Sequence, residues 1–188
     1  MLTKCDIFRL ASRRGRHLVA GMALLCLFAI SGCGDPEDTD PKPASSVKGV
    51  AVKPMRAEEA ATSAFLLVNN ERMGRGMPPL DRRADLDAVA YAHARDLLRM
   101  DKLSHVSSDG RHLENRLAKL DWIWAGENLA RNKGFDAPSK EAVRGWINSP
   151  KHYENMFRSD FSQTGMAALY DPNSGFTYFV QVFILPVD

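Results

Sequence analysis

FTYFVQVFIL, residues 176–185, carries the information that sets the fold. Successive side chains of a strand point to opposite faces. Phe176, Tyr178, Val180, Val182 and Ile184 therefore share one face, and Phe179, Phe183 and Leu185 the other. A strand apolar on both faces needs cover on both. Before it come the turn Asp171-Pro172-Asn173-Ser174-Gly175 and a second extended stretch, 166–170. Residues 121–125, DWIWA, read as a third strand. The cover must be helical. Ala61, Ala64, Phe65, Leu67 and Val68 recur at helical spacing from about residue 57 to Gly74 and Gly76. Leu86, Val89, Ala90, His93, Ala94 and Leu97 fall on one face of a helix over 83–100. A shorter helix fits 111–120, with Leu113, Leu117 and Leu120 on one side and Asp109 or Gly110 starting it. A fourth fits 139–148, with Ala142, Val143, Trp146 and Ile147 inward and Ser139 as candidate N-cap. The economical packing of these pieces is an α+β fold, a sheet sandwiched between two helical layers.

The rest of the chain is not part of this domain. Its 188 residues permit one domain of ordinary size, and 45% hydrophobic residues exclude disorder throughout. Residues 1–17 carry Lys4, Arg9, Arg13, Arg14 and Arg16 against the single acid Asp6, and 18–30 read LVAGMALLCLFAI without a charge. A basic segment followed by a short apolar one is an export signal, too short for a comfortable membrane span. It ends in Ile30-Ser31-Gly32-Cys33, which resembles the lipobox of bacterial lipoproteins. That resemblance implies cleavage before Cys33, lipid on its thiol, and a membrane partner held through that lipid. The expected organisation is a leader over 1–32, a lipid-anchored linker over 33–56 and a domain over 57–188. The linker is rich in Pro, Asp, Ser and Lys. It reaches roughly 25 Å as a flexible chain.

Processing changes the charge. The leader holds five of the 25 basic residues and one of the 23 acids, so residues 33–188 carry 20 basic and 22 acidic side chains. A polybasic nucleic-acid binder is excluded. Cys5 and Cys26 leave with the leader, so no internal disulfide is available and stability must come from packing.

Histidine is the chemistry-bearing residue type. His93 lies on an apolar helix face and reads as a core histidine; His112 reads as a surface residue. His105 follows Leu103-Ser104 where a helix ends, and His152 lies in Ser149-Pro150-Lys151-His152, again just past a helix. Between them, Gly126-Glu127-Asn128 puts an acid beside the apolar WIWA. Spacing alone leaves Glu127 either an edge residue or a polar group set in a cleft.

The ordered set resembles bacterial members of the CAP superfamily, also called SCP-like domains. Its parts are Leu66, Asn69, Arg72, Gly76, Pro79 and Leu80; Leu86, Ala90, His93, Ala94 and Asp96; Leu103-Ser104-His105, Asp109-Gly110 and Arg116-Leu117; Gly126-Glu127-Asn128-Leu129-Ala130; Trp146, Ser149-Pro150, His152 and Asn155-Met156; and the stretch from Tyr178 to Phe183. The resemblance spans about 60–184. It implies a three-layer α-β-α sandwich with a central cleft, lined in many relatives by two His and two Glu. His105 and Glu127 match the first of each. Ser149 stands where the second Glu belongs and Tyr178 where the second His belongs, so half of that set is missing. His152 matches the Ser-Pro-x-His motif of the bacterial branch. Ser149 also suits the N-cap of a short helix with Pro150 at N1.

Two function classes follow from the resemblance. One is a cell-envelope protein whose cleft binds a lipid, sterol-like molecule, peptide or envelope component. The other is a metal-assisted hydrolase acting on a peptide, ester or cell-wall substrate, with His105, Glu127 and His152 as catalytic candidates. The same three residues are the expected ligands of a divalent metal such as zinc. Arg116, Asn128, Asn155 and Gln181 are expected to position polar groups in the cleft. Their plainer roles are a helix-surface charge, two turn or cap amides and a sheet-face hydrogen bonder.

Overall fold

The computed structural model describes residues 56–187 and the backbone of residues 2–8, which belong to one compact unit. The apolar leader stretch, the lipobox at Cys33 and nearly all of the linker lie outside the described residues. The elements run β1 (Leu2–Phe8), α1 (Ala57–Met73), β2 (Asp81–Arg82), α2 (Ala84–Met100), α3 (Leu113–Arg116), β3 (Trp122–Asn132), α4 (Pro138–Ile147), α5 (Pro150–Phe157), β4 (Gln163–Tyr170) and β5 (Thr177–Pro186). One five-stranded sheet has the order β1-β3-β5-β4-β2, with the β1–β3, β3–β5 and β5–β4 pairs antiparallel and the short β2 parallel to β4. No described helix is long and apolar enough to cross a membrane.

The central strand behaves as its pattern requires. Phe179 and Phe183 enter a core built with α1, α4 and α5, around Val68, Trp146 and Met156. Tyr178, Val180, Val182 and Ile184 enter a second core built with α2 and α3, around Leu86, Leu97, Leu113 and Leu117. The α+β sandwich is thus three layers, with α1, α4 and α5 on one side of the sheet and α2 and α3 on the other.

Buried polar side chains fix the layers. Asn69 on α1 both donates to and accepts from the Leu80 backbone, at 3.0 and 2.9 Å. Arg72, 1% exposed, spends its guanidinium on the carbonyls of Pro78, Met156, Arg158 and Phe161. One side chain therefore ties α1 to the loop before β2 and to the end of α5. Trp146 Nε1 donates to the Leu129 carbonyl at 3.1 Å, seating α4 on β3.

Details at the element ends differ from the sequence reading. The strand beginning with DWIWA does not stop at Ala125 but runs to Asn132. The helix expected over 111–120 is a single turn, because Gly110 takes a positive φ of 82° and the chain enters α3 only at Leu113. Ser139 is not the N-cap of α4; Ala137 holds that position, and the Ser139 hydroxyl donates to the Ala60 carbonyl at 2.8 Å, joining α4 to α1. Ser149 does stand at the N-cap of α5 with Pro150 after it, but its hydroxyl makes no capping bond.

Candidate functional site

The site grows from the junction of three elements. α2 ends at Asp101 in a left-handed conformation, φ 47°, which turns the chain back toward the sheet. Leu103 is buried and brings Ser104 and His105 with it. The loop that follows is held by Asp96, which accepts from the Ser108 backbone and hydroxyl at 2.5 and 2.6 Å. Ser107 N–H donates to Arg111 C=O at 2.8 Å, closing the loop against the entry to α3. His105 is left 7% exposed, aimed at the sheet.

Glu127 meets it from β3. Side chains of β3 alternate, with Ala125 and Leu129 in the α2-side core and Ala130 in the α1-side core. Glu127 shares the face of Ala125 and Leu129 and is fully buried. Its Oε1 accepts from His105 Nδ1 at 2.8 Å, and its Oε2 accepts from the Arg116 guanidinium at 2.5 Å. Arg116 also donates to the His105 carbonyl at 3.0 Å and to Ser107 Oγ at 3.1 Å. His93 completes the group: its Nε2 donates to the Ser104 carbonyl at 2.9 Å, its Nδ1 accepts from Ser107 Oγ at 3.3 Å, and Nε2 stands 3.8 Å from Glu127 Oε1.

The charges follow from this geometry. Burial pushes the Glu127 carboxyl up, but the His105 hydrogen bond and the charge of Arg116 outweigh it, with a smaller contribution from His93 and His105, and the group stays below the usual carboxylate range. Burial holds His93 below the usual imidazole value, against the pull of Glu127. A neutral His93 agrees with its pattern of one donor and one acceptor nitrogen. A cavity of about 310 Å³ opens beside the cluster, lined by Ala88, Val89 and Ala92 on α2 and by His93, Ser107 and Arg116.

The remaining expected site residues lie on the other face of the sheet. Asn128 follows Glu127 and so points toward α5. Its Nδ2 donates to the His152 carbonyl at 3.1 Å. Asn155 on α5 donates to the Glu127 carbonyl at 3.3 Å and to Asn128 Oδ1 at 2.9 Å. Gln181, paired with Asn128 across the β3–β5 ladder, donates to Thr164 Oγ1 at 3.2 Å. Asn128 and Asn155 bind α5 to β3 and hold the backbone of Glu127 from the side opposite its carboxylate, while Gln181 ties β5 to β4. His152 is 2% exposed in the α5 layer. Arg116 is not a helix-surface charge: its side chain is 4% exposed and it is the principal cation of the site. His93 belongs to the site as well as to the core. Its sequence signal, an apolar helix face, announces the core and not the site, because α2 packs on β4 and β5 and reaches Glu127 only through the imidazole.

Of the three expected metal ligands, the structure brings His105 and Glu127 together and places His152 in the α5 layer. Each Glu127 oxygen already accepts one hydrogen bond, from His105 and from Arg116. A second cation beside the guanidinium would meet like charge. Glu127 and the α5 element carrying His152 lie on opposite faces of the sheet. Among the described residues, no three His, Cys, Asp or Glu side chains are grouped to hold a metal ion.

Comparison with known proteins agrees with the architecture. The family model described as CAP, cysteine-rich secretory protein family, matches residues 65–183. A membrane protein of Bacillus subtilis (strain 168), YlbC, is 34% identical over 102 residues, which are 53% of this chain and 29% of that protein. The crystal structure of an extracellular SCP-domain protein of Bacillus anthracis superposes with a TM-score of 0.60 at 28% identity, covering 68% of this chain and 41% of that one. This chain thus spans less than half the length of either. An outer surface protein of Borrelia burgdorferi shares the fold, with a TM-score of 0.62 at 22% identity over 69% of this chain and 95% of that one.

Proposed function

Because the chain belongs to the cysteine-rich secretory protein (CAP) family, we propose that it is an exported, lipid-anchored binding protein of a bacterial cell envelope, whose site around Glu127 recognises a ligand without transforming it. One observation carries the binding reading. The carboxylate that would serve a metal or act as a base is spent on His105 and Arg116. The Bacillus relatives, one a membrane protein and one extracellular, support an envelope location. The leader ending in Ile30-Ser31-Gly32-Cys33 supports the anchor.

A hydrolytic reading keeps one observation in its favour. Glu127 accepts from His105 Nδ1, and a carboxylate that orients a histidine is a common element of general-base catalysis. The two readings separate on one preparation. The processed protein, extracted gently from the envelope, is expected to carry a lipid-modified Cys33 and a retained ligand in native mass spectrometry. It is expected to give no heat with zinc in calorimetry and no turnover of peptide, ester or cell-wall substrates. Turnover that disappears in His105→Ala at unchanged thermal stability would replace binding by hydrolysis. A zinc isotherm that disappears in the same variant would restore the metal.

A further inference from the structure

Among the described residues, in the order β1-β3-β5-β4-β2, the outer edge of β3 is covered by β1 alone. β1 is the start of the leader, and an uncovered edge depends on the leader's removal, which is part of the reading proposed above. Soluble proteins blunt a free sheet edge with lysine, proline or a bulge, because its unpaired N–H and C=O groups recruit other strands. From Ala125 to Ala130 the edge reads AGENLA, with neither lysine nor proline. The register irregularity lies earlier, between Trp122 and Trp124. Between Ala125 and Ala130 the edge has neither lysine, proline nor bulge, and its one charge, Glu127, is turned into the α2-side layer.

The chain itself shows that this edge accepts an extended segment. Leu2–Phe8 lies antiparallel along it in unbroken register, from Leu2 opposite Arg131, through Asp6 opposite Glu127, to Phe8 opposite Ala125, and it also runs beside α5. We propose that in the processed chain this edge takes an extended peptide from outside the domain by strand addition, in the register that Leu2–Phe8 shows. Main-chain hydrogen bonds then supply affinity and the alternating side chains supply selectivity. Directly opposed residues of an antiparallel pair share a face. The peptide residue opposite Glu127 comes to the His105 side, and its two neighbours, opposite Gly126 and Asn128, come to the α5 side, the layer of His152.

The test uses the processed protein from the envelope and, as probe, a synthetic peptide of residues 2–8 with Cys5→Ser. Intact mass is measured first. A chain that retains residues 1–32 refutes the processing reading and leaves the edge permanently covered, which overturns the inference for a separate and visible reason. With the leader gone, amide exchange across 125–131 is expected to be fast without peptide and to slow about tenfold or more at saturation. Methylating alternate peptide nitrogens removes hydrogen bonds without altering the protein, and is expected to weaken binding about tenfold or more. Binding that ignores the methyl groups would overturn strand addition. So would edge amides already protected in the peptide-free monomer. A peptide-free dimer in sedimentation would assign the edge to a second copy and overturn the external peptide.

Discussion

Glu127 concentrates the electrostatics of the molecule in one buried carboxylate. Its side chain is 0% exposed and that of its cation, Arg116, is 4% exposed. Removing one member of such a pair strands the other, at a cost of about 3–5 kcal/mol. Arg116→Ala is expected to lose that much in urea denaturation, and adding Glu127→Gln to it is expected to recover part of the loss, because no charge is then left stranded. No recovery would mean that Arg116 acts through its bonds to the loop carbonyls alone. The pH dependence has a definite sign. His93 is held below its unfolded value, so its contribution is complete above about pH 6.5 and declines as the unfolded chain takes up a proton below it. Glu127 is also held low, so its contribution is complete above about pH 4.3 and is lost as pH falls through the lower folded value. Urea midpoints are therefore expected to fall from pH 7.5 to 5.5 and more steeply toward pH 4, and His93→Phe is expected to flatten the first part. A parent midpoint unchanged between pH 7.5 and 5.5 would reject a neutral buried His93. His105 and Glu127 were legible in the sequence only as matches to a family motif. Arg116 was legible as a motif member but not as a buried cation, because its helix is one turn long and the side chain folds under the His105 loop.

At the scale of elements, β3 shows why apolar patterning alone falls short. Gly126, Glu127 and Asn128 interrupt the hydrophobic run, and a pattern reading ends the strand there. They remain in the strand because partners in both layers satisfy them: His105 and Arg116 on one face, Asn155 and the His152 carbonyl on the other. Those partners are distant in sequence, so no local signal announces them. β5 was legible in full because its two faces are apolar and need nothing more specific than cover. Close helix–sheet approach is equally silent in the sequence. A Cβ on Gly165 would lie 2.2 Å from the Leu86 backbone carbon, so α2 rests directly on β4 there. Gly165→Ala must push backbone from backbone and is expected to cost about 2–3 kcal/mol, the upper range for overpacking. A Cβ on Gly126 would meet the Asn155 amide at 2.8 Å and the Phe161 ring at 3.1 Å, side-chain atoms rather than backbone. Gly126→Ala is expected to cost less than Gly165→Ala and to loosen α5. Denaturant midpoints of the two variants settle the order, and equal losses would mean that α2 is free to shift away from the sheet.

Over the whole molecule, stability rests on one sheet serving two cores. Cys5, Cys26 and Cys33 are the chain's only cysteines, so residues 34–188 fold without a disulfide although the family is named for cysteine-rich members. β5 contributes Phe179 and Phe183 to one core and Val180 and Val182 to the other. Neither core can open without exposing the back of the strand that the other needs. That shared strand predicts cooperativity across both layers: the domain should unfold in a single transition, with the same midpoint in the presence and absence of a thiol reductant. With Trp122, Trp124, Tyr91, Tyr153 and Tyr170 replaced by Phe, Trp146 reports on the α1 side and Tyr178 on the α2 side, both fully buried. Their fluorescence and near-ultraviolet signals should therefore change together. Phe179→Ala and Val180→Ala, adjacent substitutions that open opposite cores, should each lower that common midpoint, the phenylalanine more, by about 3–5 kcal/mol. A variant in which the tryptophan signal is lost before the tyrosine signal would show that the sheet does not couple its two faces, and that the α1 layer can leave while the Glu127 site stays folded.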